Sequence, residues 1–237
     1  MIVSSRDAQI IRHISRFGML TSRHINDLVF HDNTSSTPSN RVLARLTRDK
    51  YLARIERRSL GGTGGGSGTY VYQLASKGWV FMRKQTRYWP FRSINHHTLA
   101  IADAYVEVAK LERANRVEVI GLSTEPDCWV TIAGADLRPD MHLELSLPEK
   151  RMNVSLFVEA DMGTERQKQL KEKLARYWHA YQHATEADMS VFPVILFLVP
   201  DDERLKELNW IINSGPDEAK ALFRVQRQDS FPRLLLS

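Results

Sequence analysis

Three arginines recur along one side of a short helical segment, where their guanidinium groups are suited to binding nucleic acid. Arg41, Arg45 and Arg48 occupy positions i, i+4 and i+7 of the segment Ser39–Asp49. The opposite side of that segment is apolar and consists of Val42, Leu43 and Leu46. Arginine donates hydrogen bonds to guanine edges and to phosphate oxygens. The spacing predicts a helix in the major groove of duplex DNA, with Arg41 and Arg45 at base edges and Arg48 at a phosphate.

Further DNA contacts are expected at both ends of this helix. Near its start, Ser39 and Asn40 would lie beside the base edges. The cations that follow the helix would contact phosphates, and they are Lys50, Arg54, Arg57 and Arg58. Together with the three arginines, these residues form the predicted DNA-binding set.

Three helices are predicted to position this arginine row. The first carries one apolar stripe and ends at Gly18. Thr21 caps the second helix with its hydroxyl group. Thr37 and Pro38 begin the third, because a capping hydroxyl followed by proline favours a helix start.

A hairpin is predicted to follow the third helix. Two alternating segments, Tyr51–Arg58 and Thr69–Leu74, flank a glycine-rich stretch, Gly61–Gly68. The order of three helices and a hairpin is that of a winged helix-turn-helix. In that arrangement we expect the hairpin to lie along a minor groove. The stretch lacks the GK[ST] ending of a P-loop, so we exclude nucleotide binding there.

Charge is distributed unevenly along the 237 residues. Residues 1–92 carry 16 Lys and Arg against 5 Asp and Glu, a net charge of +11. The remaining residues carry 17 against 23, a net charge of −6. A basic third followed by an acidic remainder indicates two parts with different roles. We expect a DNA-binding domain at 1–84, a linker at 85–94 and a second domain at 95–237.

The junction segment Arg83–Arg92 mixes four cations with three aromatic residues. Such a mixture can stack on exposed bases or bind the nucleic-acid backbone. It can equally be a connector whose aromatic side chains plug an interface between domains. We favour the connector interpretation from the sequence.

The acidic remainder alternates helices and strands in the order αβββαβαβ. One helix is predicted at His96–Ala114 and a long one at Thr164–His183. Between them we expect three β segments, the second of which runs from Trp129 through Ala133 toward Leu145. The apolar run Phe192–Val199 is typical of a strand buried on both faces. Because strand and helix alternate at the end, we expect parallel pairing covered by helices.

This order, with "RPD" before one strand and "VEAD" at the end of the next, resembles the PD-(D/E)XK nuclease-like fold. The resemblance implies that Asp140 and Glu159 are carboxylate ligands of Mg²⁺, with Asp161 as a third. The chain departs from the family pattern because Asp161 stands where the family has lysine. Of the lysines on the following helix that could replace it (Lys168, Lys171 and Lys173), we choose Lys171.

The chain as a whole resembles the replication-relaxation family of plasmids and related mobile elements. The matching features are the N-terminal helix pattern, "NHHTLAIADAYVEV", "LRPD" at Leu137–Asp140 and the block Phe157–Tyr181. That block joins an acidic strand end and Gly-Thr-Glu to a Lys-rich helix that ends in Tyr. The resemblance covers about residues 5–200 and implies DNA handling on a mobile element.

The fold is therefore expected to be α+β with an α/β part: a winged helix-turn-helix, then a catalytically degenerate nuclease-like domain. We expect a protein that binds double-stranded DNA and acts in replication, relaxation, mobilisation or the control of mobilisation on a plasmid or other mobile element. Its second domain would serve assembly or docking of replication or mobilisation proteins. One alternative is a Mg²⁺-dependent endonuclease, and another is a winged-helix transcription regulator.

Composition narrows the classes of protein and the cellular locations that remain. Cys128 is the sole cysteine, so no disulfide can form within the chain. The longest apolar run is too short to span a membrane. We expect a cytoplasmic homodimer that requires no cofactor unless it cleaves DNA, in which case Mg²⁺ would be needed.

Overall fold

The computed structural model describes residues 3–58 and 69–236, with the backbone alone for residues 56–58. It is a mixed α+β structure, which confirms the fold class at that level. The chain forms two compact units, Met1–Val106 and Glu107–Ser237. The division lies later in the chain than the linker predicted at 85–94. The glycine-rich stretch at 61–68 lies outside the described residues.

The first unit contains short helices and one antiparallel sheet. In chain order its elements are α1 (Ser5–Phe17), β1 (Met19–Thr21), α2 (Ser22–Val29), α3 (Thr37–Arg48), β2 (Leu52–Arg58), β3 (Thr69–Leu74), α4 (Ser76–Phe81) and the first part of α5 (His96–Arg113). Strand β3 lies between β1 and β2. Met19 is opposite Gln73, and Leu52 is opposite Leu74. The sequence did not predict β1.

The start of α1 explains why that helix forms where it does. The Ser4 hydroxyl accepts from the Asp7 amide, and the Asp7 carboxylate accepts from the Ser4 amide, which is a complete capping box. The apolar stripe is fully buried and includes Ile10, Ile11 and Ile14. Burial of each such side chain stabilises the fold by about 1.5–3 kcal/mol. The helix ends at Gly18, whose φ of 80° favours glycine.

The starts of α2 and α3 follow the prediction to different degrees. Thr21 is the N-cap of α2, and its hydroxyl accepts from the His24 amide at 3.0 Å, which confirms the prediction. For α3 the N-cap is Ser36 and not Thr37, since the helix already includes Thr37. Pro38 still occupies the first turn, where its missing N–H removes no intrahelical bond.

A histidine and an aspartate join α2 to α5 within the first unit. The Nδ1 atom of buried His24 accepts from the Thr21 amide at 3.3 Å. The His24 Nε2 atom lies 2.7 Å from an Asp103 carboxylate oxygen. Because Nδ1 acts as an acceptor, the hydrogen sits on Nε2 and is donated to Asp103.

The second unit is built on a five-stranded mixed sheet in the order β10-β9-β8-β7-β4. Its elements after α5 are β4 (Glu118–Thr124), β5 (Val130–Ile132), β6 (Ala135–Leu137), β7 (Met141–Leu147), β8 (Met152–Ala160), α6 (Gln167–His183), β9 (Val194–Val199), α7 (Asp202–Asn213), β10 (Phe223–Arg227) and α8 (Phe231–Leu236). Short 3-10 turns occupy Pro148–Lys150, Asp217–Ala221 and Gln228–Ser230.

The three consecutive strands β8, β9 and β10 are parallel, as predicted from the alternation of strands and helices. Phe157 and Phe197 of the sheet pack in one cluster with Leu170 of α6 and Ile211 of α7. Strand β9 is buried almost throughout, which fits its continuous apolar run.

The segment after Trp129 does not continue as one strand. It forms a two-stranded hairpin of β5 and β6 before β7 begins. The chain reverses at Ala133 and Gly134, whose φ angles are 48° and 77°. Glycine accepts that conformation without a steric penalty, so a turn replaces the predicted continuation.

Candidate functional site

One face of α3 is exposed along the whole helix. Leu43 and Leu46 are fully buried on the other face. The exposed positions are Thr37, Pro38, Asn40, Arg41, Ala44 and Arg48. Four of them recur at intervals of three or four residues, namely Thr37, Arg41, Ala44 and Arg48. We call the exposed positions the α3 surface. Two guanidinium groups on either side of a small methyl group leave the helix backbone accessible between them.

Arg45 departs from the row that the sequence predicted. Its Nη2 atom lies 2.6 Å from a carboxylate oxygen of Asp7, whose side chain is 2% exposed. Burial opposes ionisation of Asp7, but hydrogen bonds from Arg45 and Ser4 outweigh it and hold the pKa of Asp7 below 3.8. Arg45 therefore fastens α3 to α1, and a base contact would require breaking this ion pair.

Removing the Arg45 guanidinium is expected to destabilise the first unit. Arg45→Leu leaves the Asp7 carboxylate buried without its cation, so we expect a loss of about 1–3 kcal/mol in the free energy of unfolding. The control Arg41→Leu changes an exposed residue of the same helix and should cost less than about 0.5 kcal/mol. Urea denaturation measures both.

The effect of Arg45→Leu should also depend on pH. A lowered folded-state pKa of Asp7 gives stability that is present above its unfolded value and is lost as the pH falls through the folded value. The difference in stability between the two variants should therefore begin to shrink only as the pH falls below about 4. Equal stability of both variants at neutral pH would show that the ion pair contributes nothing.

The other residues predicted to contact DNA differ in how exposed they are. Asn40, Lys50 and Arg54 are exposed. Ser39 is fully buried, and its hydroxyl donates to the Ser36 carbonyl at 2.8 Å, so it is not part of the α3 surface. The side chains of two further predicted residues lie outside the described ones, namely Arg57 and Arg58 of β2.

Two of the exposed cations have partners within the first unit. The Arg48 Nε atom lies 3.2 Å from a carboxylate oxygen of Asp49. The Arg54 guanidinium lies 4.3 Å from the centre of the Tyr70 ring. An exposed ion pair contributes about 0–1 kcal/mol, so its geometry can be exchanged for a phosphate contact.

In the second unit, two acidic residues meet where β7 and β8 pair. Met141 is opposite Val158, and the Asp140 amide donates to the Val158 carbonyl at 3.1 Å. Glu159 directly follows Val158 on β8, and the Asp140 charge raises the pKa of Glu159, so the two carboxyl groups lie close together. Both are buried, with 7% and 4% of their surface exposed. The Asp140 carboxylate accepts from the Ala160 amide at 2.7 Å.

Helix α6 supplies the hydrogen-bond donors to Glu159. Lys173 Nζ lies 2.9 Å from one of its carboxylate oxygens, and the Tyr177 hydroxyl donates to the other at 2.5 Å. Lys173 and Tyr177 are four residues apart, so they share one side of the helix. Lys173 also reaches Glu165 at 2.8 Å. We call Glu159, Glu165, Lys173 and Tyr177 the Glu159 cluster, and the lysine bonded to both carboxylates holds it together.

Burial decides the protonation of Glu159. Burial raises the pKa of this carboxyl to about 7, although Lys173 and the Tyr177 hydroxyl lower it, while Asp140 raises it further. For Lys173, burial opposes the charge, but Glu159 and Glu165 outweigh it and raise the pKa of the ammonium group. The cluster therefore keeps its lysine charged while the buried glutamate titrates near neutrality.

Asp161 belongs to a separate ion pair. Arg204 of α7 donates to its two carboxylate oxygens at 2.8 and 3.3 Å. The same guanidinium reaches the Glu207 carboxylate at 2.7 Å and the Glu165 carbonyl at 2.8 Å. Arg204 thus ties the end of β8 to α7, and sequence reasoning missed it because it lies 43 residues from Asp161.

The three carboxylates predicted to bind Mg²⁺ already accept from protein donors. Their donors are the Ala160 amide for Asp140, Lys173 and Tyr177 for Glu159, and Arg204 for Asp161. A hard dication needs several oxygen ligands free of competing cations. A magnesium ion would have to compete with these donors for all three carboxylates, and metal binding stays a prediction.

A family comparison agrees with the resemblance drawn from the sequence. A model described as replication-relaxation matches residues 11–195, which extends from α1 into β9. The chain belongs to the replication-relaxation family. Membership suggests a role in the replication or relaxation of mobile elements. Comparisons with curated proteins and with solved structures find no match.

The matched region of this replication-relaxation protein includes the α3 surface and the Glu159 cluster. None of its described helices has the length and apolar character needed to cross a bilayer.

The lysine that reaches the carboxylates is not the one chosen from the sequence. Lys171 is exposed, and its Nζ lies 5.8 Å from the centre of the Trp210 ring. Lys173 holds the carboxylate instead. A signal existed in the sequence, since Lys173 borders the buried stripe of Leu170 and Tyr177 at a spacing of three and four residues.

Proposed function

We propose that this protein binds duplex DNA through the α3 surface and acts in replication, relaxation, mobilisation or its control on a plasmid or other mobile element. The observation that carries the proposal is the exposure of Arg41 and Arg48 on either side of Ala44. The small Ala44 lets the helix backbone approach a groove. From there, Arg41 can reach a base edge and Arg48 a phosphate.

The order of elements supports a winged helix-turn-helix in the first unit. Helices α1, α2 and α3 precede an antiparallel pair of strands, β2 and β3. In that arrangement α3 is the recognition helix, and the hairpin contacts the backbone beside it. Arg54 lies exposed on the hairpin, and Arg57 and Arg58 follow it on the same strand.

For the second unit we propose a nuclease-like arrangement used for assembly and partner docking rather than cleavage. Support comes from the carboxylates of Asp140, Glu159 and Asp161, which already accept hydrogen bonds from a backbone amide, a lysine and an arginine of the protein. We further propose a homodimer with double-stranded DNA and replication or mobilisation proteins as partners. A twofold dimer would present two α3 surfaces to paired half-sites.

Metal-dependent cleavage is the second candidate because Asp140 lies close enough to Glu159 to raise its pKa, and Lys173 is bonded to Glu159. Incubation of supercoiled plasmid with the protein and Mg²⁺ or Mn²⁺ separates the two candidates. We expect no nicking. If the wild type nicks the plasmid and Asp140→Ala does not, the second unit is a nuclease and the docking proposal is wrong.

The duplex proposal predicts a salt-dependent affinity. Three described cations beyond Arg41 are assigned to phosphates, namely Arg48, Lys50 and Arg54. Each phosphate contact contributes about −0.9 to the slope of log K against log salt, so we expect a slope of about −3 or steeper. Fluorescence anisotropy of the full chain with a labelled duplex measures it. A flat slope, or absence of binding at low salt, would contradict the proposal.

A further inference from the structure

The chain contains a long stretch without carboxylates. No Asp or Glu occurs between Glu56 and Asp103. Seven Lys and Arg fall in that interval, and they are Arg57, Arg58, Lys77, Arg83, Lys84, Arg87 and Arg92. The last four lie within Arg83–Arg92 and are all exposed. A cluster of cations without neighbouring acids attracts a polyanion.

Two aromatic side chains of the same segment face solvent. Trp89 is 67% exposed and Phe91 is 50% exposed. The connector interpretation favoured from the sequence expected these rings to be covered. The Arg92 guanidinium lies 6.0 Å from the centre of the Trp89 ring. Cations interleaved with open ring faces are what proteins use to bind unpaired nucleotides.

The backbone beneath these rings is held in place. The Gln73 side chain donates to the Phe91 carbonyl at 2.9 Å and accepts from its amide at 2.7 Å. The Trp79 indole donates to the Thr86 carbonyl at 2.7 Å. Proline at position 90 restricts Trp89 to an extended backbone. The segment is therefore a fixed platform, and little further ordering is needed to bind a strand.

We propose that Arg83–Arg92 binds single-stranded DNA, with bases stacked on Trp89 and Phe91 and phosphates on the flanking arginines. The inference rests on the proposed DNA-binding function, but it uses a different surface and a different form of DNA. In a duplex, base faces are covered by neighbouring bases, so exposed rings have partners only on an unpaired strand. Replication and relaxation of DNA both expose such strands.

The test uses the full chain, a fluorescein-labelled oligothymidine and a labelled duplex. We expect Trp89→Ala to lower the affinity for oligothymidine about 10-fold and to leave duplex affinity unchanged. Trp89→Phe keeps a ring face and should retain most of the binding. The matched control is Trp210→Ala, which removes a tryptophan that is 57% exposed in the second unit. Its affinity should equal that of the wild type.

A second variant, Arg83→Ala/Arg87→Ala, keeps both rings and should lower the oligothymidine affinity and flatten its salt dependence. Wild-type affinity for oligothymidine in both Trp89→Ala and the arginine variant would overturn the proposal. Binding to anionic phospholipid vesicles without binding to oligothymidine would also overturn it.

Failure of the α3 proposal gives a different pattern. In that case Arg41→Ala/Arg48→Ala would leave duplex affinity unchanged, while oligothymidine binding would still depend on Trp89. A third pattern would overturn the single-strand proposal and leave the duplex proposal standing. In it, the α3 variant loses duplex binding, and oligothymidine binding does not depend on Trp89.

Discussion

Replacing Lys173 with methionine is expected to lower the free energy of unfolding by about 3–5 kcal/mol at about pH 8. Lys173 bonds Glu159 at 2.9 Å and Glu165 at 2.8 Å. Glu159 is 4% exposed, so without the lysine its charge has neither a cation nor water to stabilise it. Chemical denaturation monitored by circular dichroism measures the change.

The matched control is Lys171→Met, two residues earlier on the same helix. Lys171 is exposed, so the change should cost less than about 0.5 kcal/mol. The double variant Glu159→Gln/Lys173→Met removes the buried charge and should recover most of the loss. If Lys171→Met and Lys173→Met destabilise equally, the assigned role of Lys173 is wrong.

The same cluster predicts how stability varies with pH. The pKa of Glu159 is about 7 in the folded chain, above its ordinary value of 4.5. The folded state therefore binds more protons than the unfolded state between these values. The contribution of Glu159 is fully present below about pH 4.5 and is lost as the pH rises through about 7. Relative to Glu159→Gln, the wild type should lose about 3 kcal/mol over that range.

Local patterns predicted much of the secondary structure because they depend on neighbouring residues. The apolar stripe of α1, the Thr21 cap and the buried run of β9 were readable from spacing alone. Strand β1 was missed because three residues carry no periodicity of their own. It exists through pairing with β3, whose partner residues come 50 to 54 positions later.

The side-chain partners were harder to predict than the elements. Arg45 has the spacing of a surface row, yet Asp7, 38 residues earlier, turns it inward. Lys171 and Lys173 look alike in the sequence. Their spacing from the apolar stripe of α6 indicates which of them borders the sheet. The identity of the partner, Glu159, depends on how α6 packs against β8, and the sequence of one helix does not contain that information.

Duplex affinity is expected to fall about 30- to 100-fold in Arg41→Ala/Arg48→Ala. Arg41 is assigned to a base edge, so its loss should also reduce discrimination between sequences. Arg48 is assigned to a phosphate, so its loss should flatten the salt slope by about 1. Both residues are exposed, so folding should be unaffected.

The matched control is Arg113→Ala/Arg176→Ala. Both of these arginines are exposed on helices and belong to the second unit. The control lowers net charge by the same amount and should reduce duplex affinity less than about 3-fold. Equal losses in the two double variants would mean that binding follows total charge and not the α3 surface.

Photo-crosslinking from α3 tests whether this helix lies against duplex DNA. A maleimide photo-crosslinker is attached to Ala44→Cys, between Arg41 and Arg48, or to Ala175→Cys on α6. The native Cys128 should not react, because it is buried and burial raises the pKa of its thiol to about 12. We expect crosslinks to duplex DNA from position 44 and none from position 175. Crosslinks from position 175 alone would contradict it.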